Sequence, residues 1–61
     1  MRFFRLVMVN RRTGEIREYF TKWLPREERL EAGRRYVAND PAEGNPADFV
    51  VHSVLPPGVP R

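Results

Sequence analysis

"RFFRLVMVN", residues 2–10, decides how this chain folds. A half-buried strand alternates apolar and polar side chains. Here the even positions hold Phe4, Leu6 and Met8, and the odd positions hold Phe3, Val7 and Val9, interrupted only by Arg5. The stretch predicts a strand that is apolar on both faces. A chain of 61 residues has little else to cover two faces with.

Outward from this strand, "NRRTGE" precedes a second stretch, residues 15–23, whose "IREYFTKW" is rich in β-branched and aromatic residues. Gly14 can take positive φ, so the two stretches predict a hairpin. A two-residue turn at Thr13-Gly14 pairs Val9 with Glu18; a four-residue turn with a glycine bulge pairs Val9 with Ile16. Both registers put the same residues on the same faces, because side chains alternate with a period of two. One face then carries Phe4, Leu6, Met8, Tyr19, Thr21 and Trp23, with Arg17. The other, the odd face, carries Phe3, Val7, Val9, Ile16 and Phe20, with Arg5, Glu18 and Lys22.

"LPREERLEAGRRYVAND" (residues 24–40) predicts a helix. Pro25 suits its first turn. Glu27 and Glu28 fall near the positive end of the helix dipole, and Arg34 and Arg35 near the negative end. Leu30, Gly33 and Val37 recur at helical spacing, and Glu31 and Arg35 can pair one turn apart. Asn39, Asp40 and Pro41 stop the helix. Gly33, costly in a helix interior, lets the helix lie close to a sheet. "DPAEGNPAD" is a loop, and "FVVHSVL" (residues 49–55) is a third strand with alternate sets Phe49, Val51, Ser53, Leu55 and Val50, His52, Val54. "PPGVPR" cannot continue a sheet.

These elements predict an α+β fold: a small two-layer ββαβ unit in which one helix packs on one face of a three-stranded antiparallel sheet, order 2-1-3. Residues 1–56 form the single domain, and 57–61 a Pro-rich C-terminal tail. The helix is expected on the even face, which carries fewer charges. Something outside the fold, or the tail, must then cover the odd face.

Composition excludes several classes of function. Without cysteine there are no disulfides, thiolate metal sites or cysteine nucleophiles, and a cytoplasmic, intracellular protein is expected. No apolar run reaches the length of a membrane span. Met1-Arg2 and the apolar stretch after them are not read as a signal peptide: Arg5 interrupts, Arg11-Arg12 follow and no small-residue cleavage site appears. The net charge of +3 is uneven, because residues 1–39 carry ten Lys/Arg against five Glu.

Catalytic chemistry is sparse. His52 is the sole histidine, and on a regular strand its neighbour Ser53 points to the opposite face, so the two cannot act as base and nucleophile. Glu27, Glu28 and Glu31 read as a solvated, dipole-matched helix start rather than an acid–base pair. The four glycines are too scattered to cradle a phosphate. No enzyme activity, metal or cofactor is expected. The chain carries no family motif; in size, mixed charge and missing chemistry it is similar only in type to short accessory proteins of phages and mobile elements.

The expectation is a non-enzymatic regulatory or inhibitory protein that occupies a surface of a larger, nucleic-acid-handling protein. Its partner-binding residues are Phe3, Arg5, Val7, Arg11, Arg12, Arg17, Phe20 and Lys22, with apolar anchors on the odd face and arginines steering toward an acidic partner. The alternatives are a nucleic-acid-binding module built on the basic hairpin and a structural subunit that self-associates into a homodimer through the same face. No small-molecule substrate and no membrane is expected.

Overall fold

The computed structural model of the protein describes residues 3–57. Strand β1 (Phe4–Asn10) and strand β2 (Ile16–Thr21) form a hairpin, helix α1 (Arg26–Asn39) follows, and a single 3-10 turn (Pro46–Asp48) leads into strand β3 (Phe49–Leu55). The sheet is antiparallel in the order β2-β1-β3, with α1 packed on one face. The architecture is the α+β unit that the sequence predicts. The tail residues 58–61, and with them any cover the tail gives the odd face, lie outside the described residues.

The hairpin takes the longer of the two predicted turns, with Val9 opposite Ile16. Gly14 adopts φ 80°, which a side chain rarely tolerates. Asn10 organises the turn. Its N–H donates to Glu15 O (2.8 Å), its C=O accepts from Gly14 N–H (2.8 Å), and its side-chain Oδ1 accepts from the N–H groups of Arg12 (2.8 Å) and Thr13 (3.2 Å). One side chain thus closes the turn as an Asx motif.

The core is small: Leu6 and Met8 of β1, Val37 of α1 and Phe49 of β3, with Tyr19, Tyr36, Val51 and Val54 against them. The even face of the hairpin is therefore the covered one. Gly33 lets α1 approach β1: a Cβ there would fall on Met8 Sδ and lie 3.3 Å from Leu6 Cδ2.

Several expectations about the elements are corrected. β2 ends at Thr21, so Trp23 leaves the sheet and is exposed instead of joining the covered face. The chain must turn there toward Pro25, which caps α1 rather than sitting in its first turn. Arg34 and Arg35 fall one turn short of the helix end. Arg34 Nε instead donates to Phe49 O (3.0 Å), tying the helix to β3. Arg35 meets Glu31 at 3.8 Å, as the spacing predicts, on an open surface where such a pair contributes little.

β3 departs furthest from its predicted pattern. Val7 faces Ser53 but the next residue, Met8, faces Val51, so His52 is an extra residue on β3. Such a bulge changes which side later residues occupy. Phe49, Val51 and Val54 now pack toward the helix, and Val50, Ser53 and Leu55 lie on the odd face, opposite Val9, Val7 and Arg5. The bulge also brings His52 Nδ1 to 3.1 Å from Ser53 Oγ, so the expectation that these two side chains point apart is overturned.

Candidate functional site

The face of the sheet opposite α1 carries the candidate site. At one end Arg5 of β1 lies between Phe20 of β2 and Leu55 of β3. Carried one residue beyond the Phe4–Thr21 pair, the register sets Phe3 on the diagonal to Phe20, a spacing that aromatic rings can bridge. Phe20 is 70% exposed and Phe3 49%. At the other end Ile16, 51% exposed, sits beside Val9, with Val50 of β3 on the far side. Between the two apolar ends, Arg5 Nη1 donates to Glu18 Oε1 at 3.4 Å, on a diagonal of the ladder. Lys22 follows β2 and is exposed. The face thus has two apolar ends and a charged pair at its middle.

Not every predicted residue reaches this face. Val7, flanked by Glu18 and Ser53, is only 5% exposed and offers a partner almost no surface. Arg11 and Arg12 stand at the hairpin tip, away from the aromatic pair. Asp48 lies beneath them, its C=O accepting from Arg11 N–H (2.8 Å) and its carboxylate 3.8 Å from Arg12.

Arg17 is corrected outright. It lies on the covered face, its side chain 8% exposed, and serves the interior rather than a partner. Its guanidinium donates to both Glu15 oxygens (2.8 and 3.3 Å) and to the C=O of Glu43, lies 3.6 Å from Asp40 and stacks 4.8 Å above the Phe49 ring. The Glu15 hydrogen bonds, followed by Tyr19, raise its pKa further. Gly44 gives the loop room to close over it, since a Cβ there would lie 2.9 Å from Nη2.

A polar chain runs on from Arg17. Asp40 accepts from the Tyr19 hydroxyl (2.8 Å) and, at its other oxygen, from Ala42 N–H (2.9 Å). Tyr19 stacks on Tyr36, whose hydroxyl donates to Thr21 Oγ1 (3.0 Å). The Ala42 N–H first, and then Tyr19, hold the Asp40 carboxyl below its ordinary pKa. Burial first, and then the bond to Asp40, push the Tyr19 hydroxyl up. This chain joins β2, the end of α1 and the following loop. It fixes the sheet's covered side.

Sequence reasoning missed Asn10, Asp40 and the contact of His52 with Ser53. The His52–Ser53 pair is exposed and has no third group to orient it among the described residues, so it lacks the arrangement that activates a hydroxyl. Among the described residues, no His, Asp or Glu group of three or more is placed to hold a metal ion, and no helix is long and apolar enough to cross a membrane. Compared with known proteins, the chain matches no family model, no curated sequence and no solved structure.

Proposed function

We propose that this is a small, non-enzymatic regulatory protein of the cytoplasm that binds a larger, nucleic-acid-handling protein through the sheet face opposite α1. One observation carries the reading: Phe3, Ile16 and Phe20 are large, apolar and exposed together on a face that no element of the described fold covers. Aromatic residues flanked by arginine are the usual energetic centres of protein interfaces. Phe3 and Phe20 serve as anchors, Arg5 and Lys22 as their charged rim, and Arg11 and Arg12 raise the rate of encounter with an acidic partner.

The test places a photo-crosslinking phenylalanine analogue at position 20 and, separately, at position 27 on α1. Adducts with a defined protein at position 20 and none at 27 support the reading. Phe3→Ala combined with Phe20→Ala then removes the adduct partner while the helical signal in circular dichroism persists. Retention of the complex in that double variant, or adducts with a second copy alone, overturns it; the latter identifies a homodimer.

A nucleic-acid module is the competing reading, favoured by the exposed aromatic pair beside Arg5 and Lys22, which suits base stacking. Against it, Arg5, Arg12 and Arg17 already face carboxylates. Phosphate binding shows a steep salt dependence, so binding of single-stranded DNA or RNA at about 50 mM salt that weakens sharply as salt rises favours the module.

A further inference from the structure

A second surface lies at the far edge of the sheet. Among the described residues β3 pairs with β1 alone, so its outer edge carries no strand of theirs. A groove of about 420 Å³ follows that edge, lined by β3 from Val50 to Val54 and, from α1, by Arg26, Arg29 and Leu30. It touches Val51 and Val54 on the helix side of the sheet and Val50 and Ser53 on the other. The groove therefore wraps the edge itself. At the Phe49 end the edge is occupied: Phe49 N–H donates to Pro46 O, and Phe49 O accepts from Arg34. From Val50 onward, on either side of the His52 bulge, none of the described residues pairs with it.

Charge selects the occupant. Among the described residues, two guanidinium groups line the groove and no carboxylate does. Arg29 Nε donates to Leu24 O (2.9 Å), which steadies that side chain over the groove. Among the described residues neither Arg26 nor Arg29 has a carboxylate at ion-pair distance. An extended backbone satisfies a free edge through main-chain hydrogen bonds, and its alternate side chains enter the adjoining groove. A second copy of β3, "FVVHSVL", supplies the backbone but no carboxylate.

We propose that the outer edge of β3 accepts an extended, acidic peptide segment of another protein as a fourth strand, with its carboxylates on Arg26 and Arg29. Its apolar side chains lie against Leu30, Val51 and Val54. The groove meets the odd face only at Val50 and Ser53, away from Phe3 and Phe20, and neither reading needs the other.

The probe is a capped seven-residue peptide alternating glutamate and valine, titrated into isotope-labelled protein and followed by amide chemical shifts. Saturable shifts along Val50–Leu55 and the first turn of α1 are expected, with none from the same peptide carrying lysine for glutamate. Arg26→Glu is the informative variant. An acidic residue in the first helical turn suits the helix dipole, so the fold is retained while affinity falls about tenfold or more. No shifts at millimolar peptide, equal binding of the lysine peptide, or unchanged affinity in Arg26→Glu overturns the proposal. So do shifts at Ile16 and Phe20 instead of β3, or concentration-dependent β3 shifts without peptide, which would assign the edge to a second copy.

Discussion

Gly33 and Arg17 show how single side chains set the distance between the two layers. Alanine at position 33 gains about 1 kcal/mol of helix propensity, but its methyl group lands on the buried Met8 thioether. Overpacking a tight core costs about 1–3 kcal/mol, so Gly33→Ala is expected to lower stability by up to about 2 kcal/mol in urea unfolding. Met8→Ala then costs less in that background than alone; equal costs would mean that the helix shifts freely and Gly33 sets nothing. Arg17 was half legible. A lone cation on the face meant for the helix required carboxylates, and Glu15, two residues earlier on the same strand side, was there to be read. Asp40 was not, because it arrives from a loop whose path the sequence leaves open. Arg17→Met is expected to lower the melting temperature more at neutral pH, where ionised Asp40 keeps its bonds to Ala42 and Tyr19 but loses the nearby cation, than at a pH below its lowered pKa, where the carboxyl is neutral. Equal losses at both would assign Arg17 to packing alone.

At the scale of elements, strand and helix identities were plain because the β-branched and aromatic run of residues 16–23 and the helical spacing of Leu30, Gly33 and Val37 are strong signals. Boundaries and the β3 bulge were less so. Val50, Val51, Val54 and Leu55 are apolar at both parities, so hydrophobicity could not choose which set faces the helix. The available signal was Ser53: regular alternation groups it with Phe49 and Val51 on the helix side, and one extra residue moves it out and brings Val54 in. The turn also hid its keystone. Gly14 announces a hairpin, but only the bonds of Asn10 Oδ1 to Arg12 and Thr13 show what fixes its length. Asn10→Ala is expected to cost about 1–2 kcal/mol by leaving those N–H groups without their acceptor. A melting temperature equal to that of the unaltered chain would show that water replaces the side chain without loss.

Across the whole molecule, stability follows the polar chain that links the layers. The Asp40 carboxyl is held below its ordinary pKa. Its contribution is full above the unfolded-state value and drains away as pH falls through the lower folded value. The raised Tyr19 hydroxyl works in the opposite sense: its contribution is full below the ordinary tyrosine value and is lost as pH rises through the folded one. Thermal melts are therefore expected to plateau between these limits, with Asp40→Asn flattening the acid limb and Tyr19→Phe the alkaline limb. The open face is a matter of covering area: one helix spans one side of three strands, and the sequence showed apolar residues on both. Its charged middle was less evident, since Arg5 and Glu18 meet along a diagonal that only the register defines. The extra residue on β3 has one more consequence. Removing His52 leaves Phe49, Val51 and Val54 in step on the helix side and Val50, Ser53 and Leu55 on the other, so the core would survive the deletion. What would disappear is the irregularity of an edge otherwise free of charge and proline until Pro56. A straight apolar edge is a template on which copy after copy can grow; a bulge breaks the register such stacking needs while leaving the short runs on either side of it able to pair with a single peptide. The deletion variant is expected to melt near the temperature of the unaltered chain yet to form fibrils on standing, as read by dye fluorescence. His52 would then be a brake on polymerisation, kept for what it prevents.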